Sequence, residues 1–387
     1  MTLYIGLLSG TSIDAIDAAL VEFTPTGFQL VATHSHALNT RLAQTLRQLA
    51  RRDTIDIKTL GGADVELGAQ FAEAAQTLIA DAGKTARDIV AIGSHGQTIH
   101  HAPTADNPFT LQIGDPNVIA EQTGITTVAD FRRRDIAAGG QGAPLAPAFH
   151  ATAFQAPGIE RMIVNIGGIA NITRLPAQAD QAVTGFDCGP GNTLMDTWAM
   201  EHLNTPMDRD GAWAAGGKIV EELLCRWLRD PYFQALPPKT TGPEYFNRDW
   251  LRSIVGTYAP QDIQRTLCRL TAQTIADSIH SGTNTPQEVY VCGGGAYNTL
   301  LMNDLTVCLS PTPVSSTELL GLDPDWVEAA AFAWLAKETL EHRTGSLHSV
   351  TGAAHATVLG GIYPGMPRRS TGFHHAPGSN NQSSGTE

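Results

Sequence analysis

Three glycine-rich turns carry the residues of this chain that are best suited to bind phosphate. They lie at residues 9–14, 165–168 and 292–295, and each follows a short apolar run typical of a buried strand. Successive backbone N–H groups at such turns form concavities that bind anions, and glycine lets a phosphate come close to the backbone. Two of the turns join apolar strands into similar hairpins. The sequence therefore predicts a duplicated architecture with a nucleotide held between its halves.

Two common nucleotide-binding sequences are absent from the chain. It contains no Gly-x-x-x-x-Gly-Lys-Ser/Thr sequence, which excludes a Walker-type phosphate loop. The first strand is not followed by Gly-x-Gly-x-x-Gly, which argues against a Rossmann dinucleotide site. The glycine hairpins thus remain the candidate nucleotide site.

The hydrophobic pattern predicts strands and helices around these turns. Apolar runs predict strands at residues 4–8, 16–23, 89–92, 110–113, 126–129, 162–166, 169–173 and 288–291. Helical spacing of apolar residues is found at 42–51, 65–82, 193–202, 218–229, 265–280, from about 298, and at 326–341. Residues 130–147 show no periodicity and are predicted to form a loop.

The composition argues against a protein that binds nucleic acid or a membrane surface. The 387 residues include 25 Lys and Arg against 38 Asp and Glu, so the net charge is −13 with neutral histidines. A surface of this sign repels phosphate backbones and anionic lipids. The charged share of only 16% and the 38 glycines favour a compact, loop-dependent globular enzyme.

The cysteines and the apolar segments indicate a cytoplasmic protein. Five cysteines are spread along the chain without a Cys-x-x-Cys pair, which favours free thiols in a reducing compartment. The apolar run at residues 3–8 has no basic segment before it and is too short for a signal peptide. No stretch approaches the roughly 20 apolar residues that a membrane-spanning helix needs.

The C-terminal residues 366–387 are predicted to be disordered. They are rich in Gly, Ser and Pro and have almost no aliphatic side chains, so they cannot bury enough apolar surface to fold. His374 and His375 lie in this tail and are therefore not assigned to a metal site.

Several short motifs, taken in order, resemble the anhydro-N-acetylmuramic acid kinase family. They are Ser9-Gly10-Thr11-Ser12-Ile13-Asp14, Gly93-Ser94-His95-Gly96-Gln97-Thr98, Ala129-Asp130-Phe131-Arg132-Arg133-Arg134-Asp135, Gly139-Gly140-Gln141-Gly142-Ala143-Pro144-Leu145, Asn165-Ile166-Gly167-Gly168, Gly185-Phe186-Asp187-Cys188-Gly189-Pro190-Gly191-Asn192 and Cys292-Gly293-Gly294-Gly295. Each motif is weak alone, but their order and spacing together are specific. The resemblance covers residues 3–363.

This resemblance implies an α/β, two-lobed fold of the sugar kinase/Hsp70/actin (ribonuclease H-like) type, with duplicated lobes around a central ATP cleft. The N-terminal lobe is expected at residues 1–155, completed by the C-terminal segment near 345–365, and the C-terminal lobe at 156–365. Family members convert 1,6-anhydro-N-acetylmuramic acid to N-acetylmuramic acid 6-phosphate in peptidoglycan recycling. They use ATP, Mg2+ and water, and a homodimer is implied as well.

The reaction requires a carboxylate that activates water, and Asp187 is the candidate general base. Such a group must lie within hydrogen-bond reach of the water. Asp187 stands between an apolar stretch and a Cys-Gly-Pro-Gly turn, and it matches the family's catalytic aspartate. The alternative is a structural aspartate that caps the helix beginning near Asn192. The resemblance favours the base.

The resemblance implies that the nucleotide is bound by the three glycine turns. The residues concerned are Gly10, Thr11, Ser12, Ile13, Asp14, Ala15, Ile16 and Asp17 in the first phosphate loop, Asn165, Gly167 and Gly168 in the second, and Gly293, Gly294 and Gly295 beside the adenosine. Asp14 either holds magnesium, which prefers few carboxylates and several waters, or forms an Asx turn. Ala15 stands where the family commonly has glycine, which matters if that position needs a positive φ.

A cation is expected for the lactyl carboxylate of the sugar. Residues 132–134 form the densest basic run of an acidic chain, and arginine suits bidentate recognition of a carboxylate. The family position selects Arg134 as the contact. The alternative is a solvated or lobe-bridging charge cluster with Asp130 and Asp135.

Three further residues are candidates for the sugar site. Glu328 matches a family acid that bonds sugar hydroxyls, or it is an ordinary glutamate at a helix start, favoured by the helix dipole. His95 and Gln97 follow a strand end among glycines, where sites are often found. A structural histidine explains His95 equally well.

Two functions of other classes compete with the kinase. One is an ATP-dependent switch or sugar sensor without catalysis, and the presence of Asp187, Arg134 and both phosphate loops argues against it. The other is a hydrolase of anhydro sugars that uses no nucleotide. Glycosidases usually need two carboxylates flanking the bond, and the glycine turns would then have no role. ATP binding and the identity of the product distinguish the three.

Overall fold

The computed structural model of the chain describes residues 2–366 apart from residues 11, 26, 52, 53, 179, 238, 243, 253–257 and 283. The strands are β1 (Thr2–Ser9), β2 (Ala15–Thr24), β3 (Gly27–Ala37), β4 (Ile89–Ser94), β5 (Gln97–Ala102), β6 (Phe109–Ile113), β7 (Thr127–Ala129), β8 (Arg161–Ile166), β9 (Ile169–Leu175), β10 (Thr184–Pro190), β11 (Glu288–Cys292), β12 (Val314–Ser316) and β13 (Gly361–Tyr363).

Helices connect and cover these strands. They are α1 (Thr40–Leu49), α2 (Ile57–Asp81), α3 (Pro116–Thr123), α4 (Arg133–Ala137), α5 (Ala146–Phe154), α6 (Thr193–Leu203), α7 (Glu221–Trp227), α8 (Pro231–Gln234), α9 (Arg248–Arg252), α10 (Pro260–His280), α11 (Thr299–Leu309), α12 (Val327–Leu340) and α13 (His348–Thr351). Short 3-10 helices cover Ala86–Asp88, Arg209–Gly211, Ala214–Gly216, Gly294–Tyr297, Thr317–Leu320 and Pro324–Trp326.

The two large sheets repeat one topology. The first has the strand order β13-β7-β4-β1-β2-β3 and the second has the order β10-β9-β8-β11-β12. In each, three consecutive strands form an antiparallel meander, β1 to β3 or β8 to β10. Two later strands then add in parallel beside the first strand of the meander. This equivalence confirms the predicted α/β fold with duplicated halves.

The C-terminal part of the chain returns to the first sheet. There β13 pairs antiparallel with β7, and α12 packs on β1 and β4. The packing depends on Gly6 and Gly93, which are paired neighbours in β1 and β4. A side chain at either position would overlap the backbone oxygen of Ala329 or Phe332 in α12. The proposed lobe limits stay a prediction.

Buried apolar side chains form three cores that define the layers. One core lies between the first sheet and α1, α2 and α3, with Phe71 at its centre. A second lies between the second sheet and α6, α7, α10 and α11, and includes Trp227. The third joins both sheets through α5 and α12, which supply Phe149 and Trp334. Helices α5 and α12 are therefore the layer that the two halves share.

The predicted loop at residues 130–147 is wrong in part. It contains α4 and the beginning of α5. Helix α4 is too short to show a helical period in the sequence. It is held by the buried Asp135, which accepts hydrogen bonds from the Gly142 N–H and the Thr351 hydroxyl, both at 2.8 Å.

Three features bear on the expected environment of the protein. Within the described residues, no helix is both long and apolar enough to cross a membrane. All five cysteines are unpaired. Of the predicted disordered tail, Met366 belongs to the described residues, and residues 367–387 lie outside them.

Candidate active site

The first glycine turn joins β1 to β2 and is held by an arginine from α1. Ile13 has a left-handed backbone with φ of 52°, which is unusual for a β-branched residue. Its N–H donates to the Gly10 carbonyl at 3.2 Å. The Arg47 guanidinium donates to the carbonyl oxygens of Ser12 at 3.3 Å and of Ile13 at 2.6 Å. The shape of this turn therefore depends on a side chain from a neighbouring helix.

Asp14 closes the same turn. Its Oδ1 accepts hydrogen bonds from the Ser12 hydroxyl at 2.5 Å and the Ala15 N–H at 3.0 Å, which is the pattern of a local side-chain turn. Ala15 begins β2 without a positive φ, so the strand accommodates the replacement of glycine. Ile16 is fully buried in the core. Thr11 lies outside the described residues.

Asp17, also in β2, belongs to a group of acidic residues. Burial raises the pKa of Asp17, and the negative charge of Asp14 adds to the effect. Burial also raises the pKa of Asp325 and of Glu328, and the charge of Asp17 raises both further. Strand β2, which carries Asp17, contacts both α12 and the 3-10 helix that precedes it, so these acidic residues lie near one another.

The second turn, Gly167–Gly168, is held by main chain from the start of α6. The Gly191 and Thr193 N–H groups donate to the Gly168 carbonyl at 2.8 and 3.1 Å, and the Asn192 N–H donates to the Gly167 carbonyl at 2.8 Å. These N–H groups have no partner within the helix itself. The turn thus satisfies the amino-terminal end of α6.

The third turn lies against the second. Gly293 has a left-handed backbone with φ of 78°, and a side chain there would come within 2.5 Å of Oδ1 of Asn165. A side chain at Gly295 would overlap that of Ile166. Gly294, in contrast, is exposed and faces open space. The two turns are therefore packed together, with the backbone of Gly294 accessible.

Glu328 connects the two halves of the site. It lies in the first turn of α12, and the Asn165 side-chain amide donates to its Oε1 at 3.5 Å. The Glu328 side chain reaches solvent although protein surrounds it. Burial raises its pKa, and the positive charge of Arg132 opposes this rise. Glu328 thereby links the start of α12 to the second glycine turn.

The structure brings Arg132, and not Arg134, to this group. The Arg132 guanidinium donates to Nε2 of His95 at 2.9 Å and to the Gly142 carbonyl at 2.8 Å. Burial lowers the pKa of Arg132 to about 10, and the charge of Glu328 opposes the fall. Arg134 is exposed on α4 and makes none of these contacts. Arg132 immediately precedes α4, whereas Arg134 lies within it and is exposed, so the beginning of this unpredicted helix separates the two arginines.

His95 and Gln97 are buried and use their polar atoms within the protein. Nδ1 of His95 lies 3.0 Å from the Gly96 carbonyl, and its Nε2 accepts from Arg132. Burial holds the pKa of His95 well below its usual value, so the ring stays neutral. Gln97 accepts a 2.7 Å hydrogen bond from the Ser9 hydroxyl. These contacts support the structural alternative for His95 and give Gln97 a similar role.

Asp187 lies half-buried in β10. Its Oδ2 accepts hydrogen bonds from the Thr240 hydroxyl at 2.8 Å and the Thr241 N–H at 3.0 Å. Its carboxylate therefore does not cap α6. Burial raises its pKa, the bonds from Thr241 and Thr240 lower it, and the charge of Glu244 raises it. A carboxylate in such an environment is suited to accept a proton.

The residues of the site fall into two connected groups. Asn165, Glu328 and the third glycine turn lie together, and the charge of Asp17 acts on Glu328. No hydrogen bond within the described residues joins Asp187 to Glu328. The connection runs through β10, which leads from Asp187 into the second turn at Gly191.

Three side chains of the site were not predicted from the sequence. Arg132 lies in the motif at residues 129–135. Knowledge that α4 begins at Arg133 would have distinguished it from Arg134. Arg47 belongs to a predicted helix, but nothing in the sequence shows that it reaches the first turn. Thr240 follows Lys239 in a segment whose apolar residues show no helical or strand period. Its contact with Asp187 is seen only in the structure.

Two α/β halves that repeat one topology, with the second and third glycine turns packed together beside Glu328, form a fold of the sugar kinase/Hsp70/actin type. A profile of the anhydro-N-acetylmuramic acid kinase family matches residues 2–365. The chain belongs to this family and is a kinase.

Relatives of high identity span nearly the whole chain. The anhydro-N-acetylmuramic acid kinase of Coxiella burnetii (strain Dugway 5J108-111) is 51% identical over 364 residues, which cover 94% of this chain and 97% of the relative. That of Shewanella loihica (strain ATCC BAA-1088 / PV-4) is 50% identical over 365 residues, covering 94% and 98%. The similarity to a solved activator of 2-hydroxyisocaproyl-CoA dehydratase from Clostridium difficile, with a TM-score of 0.45, 13% identity and coverage of 88% and 97%, is too distant to inform function.

Proposed function

We propose that this kinase acts on 1,6-anhydro-N-acetylmuramic acid, opens the anhydro ring with water and phosphorylates O6. The product is N-acetylmuramic acid 6-phosphate, an intermediate of peptidoglycan recycling. Identity of 51% and 50% to relatives named for this substrate supports the assignment. The environment of Asp187 supports the hydrolytic part.

Asp187 is the general base of the proposed reaction. Water attacks C1 of the sugar, the C1–O6 bond breaks, and O6 takes the γ-phosphoryl group from ATP, which leaves ADP. The proton that the water loses passes to the Asp187 carboxylate. The observation that carries this role is that both described hydrogen bonds to the carboxylate go to Oδ2. Oδ1 has no partner within the described residues and is available to the water.

ATP is proposed to lie across the three glycine turns. The adenosine would contact Gly293–Gly295, where the backbone of Gly294 faces open space. The phosphates would lie between Gly167–Gly168 and the first turn, Gly10–Asp17. Phosphoryl transfer depends mainly on such positioning and on neutralisation of charge.

The residues near the first turn fit a magnesium ion. Burial raises the pKa values of the Asp17, Asp325 and Glu328 carboxylates, and negative neighbours raise them further: Asp14 acts on Asp17, Asp323 and Asp17 act on Asp325, and Asp17 acts on Glu328. A divalent cation would remove this repulsion. The described residues contain no group of three or more metal-ligating side chains. Magnesium is commonly bound by one or two carboxylates, substrate phosphates and several waters. Asp14 and Asp17 would hold it, and it would neutralise phosphate charge.

The sugar is proposed to lie between Asp187 and Glu328. Glu328 would accept a hydrogen bond from a sugar hydroxyl. The lactyl carboxylate would meet the arginines at the start of α4, with Arg134 as the predicted contact and Arg132 as the one directed towards Glu328. His95 would hold Arg132 in place, while Gln97 would fix the end of β1.

The organisation of the protein in the cell forms part of the same proposal. The reaction and the family imply a cytoplasmic homodimer that binds neither nucleic acid nor membranes. The cleft would separate an N-terminal lobe, residues 1–155 with the segment near 345–365, from a C-terminal lobe, residues 156–365. Scattering in solution with and without ATP and sugar measures both the oligomeric state and closure of the lobes.

The experiment that tests the proposal follows both chemical events at once. Purified protein is mixed with ATP, magnesium and 1,6-anhydro-N-acetylmuramic acid in oxygen-18 water, and the products are analysed by phosphorus NMR and mass spectrometry. We expect a sugar 6-phosphate that carries one heavy oxygen at C1. Asp187→Asn should lower the rate by about a hundredfold or more, and Asp106→Asn, an exposed aspartate between β5 and β6, is the matched control.

Each alternative function gives a different result in this experiment. ATP binding without any sugar product would indicate a switch or sensor. Ring opening without phosphate on the sugar, and without consumption of ATP, would indicate a hydrolase. A phosphorylated sugar without the heavy oxygen would contradict the hydrolytic mechanism but not the kinase.

A further inference from the structure

Tyr232 in α8 and Lys239 in the segment after it are hydrogen-bonded to the backbone of Asp187. The Tyr232 hydroxyl donates to the Asp187 carbonyl at 2.8 Å, and the Asp187 N–H donates to the Lys239 carbonyl at 3.2 Å. The Lys239 ammonium donates to the Tyr232 carbonyl at 3.2 Å and lies 4.8 Å from the centre of the Tyr232 ring. The residues after Lys239 therefore have a fixed position over β10.

This anchoring presents two donors to one oxygen of the carboxylate. The Thr240 hydroxyl and the Thr241 N–H both reach Oδ2 of Asp187. Hydrogen bonds to a charged oxygen are shorter and stronger than neutral ones, and two of them restrict rotation of the carboxylate. These two bonds therefore also fix the position of Oδ1.

We propose that Thr240 is a positioning residue that fixes Asp187 so that Oδ1 takes the proton of the attacking water. This rests on the proposed function, because it presupposes that Asp187 is the base. Thr240 itself touches neither water nor sugar in this role. The backbone donor of Thr241 provides the second fixed point, so loss of the Thr240 hydroxyl leaves the carboxylate held by one bond.

The pKa of Asp187 depends on burial, on its hydrogen bonds and on the charged groups around it. Burial raises its pKa, and the two bonds lower it. Glu244 is the charged neighbour that opposes the negative form. Burial also raises the pKa of the Cys188 thiol to about 12 and that of the Tyr232 phenol, so both stay neutral in the working range. Burial lowers the pKa of the Lys239 ammonium.

The loss of the Thr240 hydroxyl should change the pKa of Asp187 in a defined direction. The Thr240 hydroxyl stabilises the charged carboxylate, so its removal raises the pKa of Asp187. The base is active when deprotonated, and the acid limb of the pH profile of kcat must therefore move to higher pH. A purely structural role of Thr240 would lower activity without moving this limb.

The test compares Thr240→Val, which keeps the shape but loses the hydroxyl, with Thr240→Ser, which keeps the hydroxyl. Thr240 is exposed, so neither variant leaves a cavity in a core. We expect Thr240→Val to lower kcat by about tenfold, to leave the KM for ATP unchanged and to move the acid limb upward. Thr240→Ser should restore both kcat and the limb. Thr77→Val, which removes an exposed hydroxyl on α2, is the matched control.

The outcomes separate this inference from the proposed function. If Asp187→Asn keeps full activity, Asp187 is not the base and both proposals fail. If Asp187→Asn is inactive while Thr240→Val has the wild-type kcat and pH profile, only the positioning role is overturned. Equal losses in Thr240→Val and Thr240→Ser overturn it as well, because the hydroxyl would then be irrelevant.

Discussion

The first and second glycine turns occupy equivalent places in the two sheets, but they are held in different ways. The turn between β1 and β2 is held by the Arg47 side chain, which bonds two of its carbonyls. The turn between β8 and β9 is held by three backbone N–H groups from residues 191–193. The first turn thus depends on a side chain from α1 in addition to main-chain bonds, whereas the second is held mainly by main chain.

This difference shows how duplicated halves acquire separate tasks. The main chain that holds the second turn is continuous with β10, which carries Asp187. We therefore expect a displacement of the second turn to affect the position of the proposed base. No hydrogen bond within the described residues joins the first turn to Asp187. Asp14 and Asp17, which accept hydrogen bonds from Ser12, Ala15 and Ser35, belong instead to the proposed site of the nucleotide and its metal ion. We infer that the second half couples phosphate to water activation, whereas the first half mainly binds.

The largest effect should come from a methyl group placed between the second turn and β10. A side chain at Gly191 would overlap the Gly167 carbonyl. We expect Gly191→Ala to lower stability by about 1–3 kcal/mol, as overpacking does, and to abolish most sugar turnover because Asp187 moves with the strand. Thermal unfolding and the labelled-water assay measure the two effects.

The matched variant in the first turn is Gly10→Ala. A side chain at Gly10 would find its nearest neighbour, Oγ of Ser12, 3.9 Å away. The free energy of unfolding of Gly10→Ala should change by less than about 1 kcal/mol. The KM for ATP should rise, because the methyl group would occupy space in the proposed phosphate site. Similar losses of stability in Gly10→Ala and Gly191→Ala would contradict the distinction between the turns.

The duplicated fold could be predicted because its signals are local. Continuous apolar runs ending in glycine identified β1, β8 and β11, and the motifs around them carried the family resemblance. Strand β3 was not predicted, because as an edge strand it alternates exposed and half-buried residues and includes His34 and His36. The role of Gly6 and Gly93 was not predictable either, since it depends on α12, which is remote in the sequence.

The sequence proposes candidate residues for the site, and their contacts could not be predicted from it. The sequence selected Asp187, Glu328 and the three turns, and the structure shows what surrounds each of them. It could not distinguish Arg132 from Arg134, because a run of identical residues has no internal signal until the helix that separates them is known. Arg47 and Thr240 act through contacts between segments far apart in the chain, which one sequence does not reveal.

A smaller effect is expected from removal of the side chain that holds the first turn. Arg47→Ala loses the hydrogen bonds to the Ser12 and Ile13 carbonyls. We expect the KM for ATP to rise about tenfold, which corresponds to loss of one hydrogen bond from a charged donor. The kcat at saturating ATP should change little, because Asp187 is not connected to this turn.

Arg51→Ala provides the control for this variant. Arg51 is an exposed arginine just after α1, so its removal changes the net charge equally without affecting the turn. Initial rates over a range of ATP concentrations measure both variants. An equal rise in the KM for ATP in both would mean that the charge matters and the contact does not, whereas a fall in kcat confined to Arg47→Ala would connect the first turn to catalysis after all.

The smallest effect should come from the corresponding side chain of the second turn. The Asn192 side-chain amide donates to the Ile166 carbonyl at 3.2 Å, but the backbone N–H bonds of residues 191–193 remain in Asn192→Ala. The side chain does not cap α6, so the helix loses nothing. We expect a loss of about 1 kcal/mol or less and a change in the KM for ATP of about twofold at most. If Asn192→Ala raised this KM as much as Arg47→Ala, the second turn would depend on its side chain as the first one does, and the main chain could not be what distinguishes them.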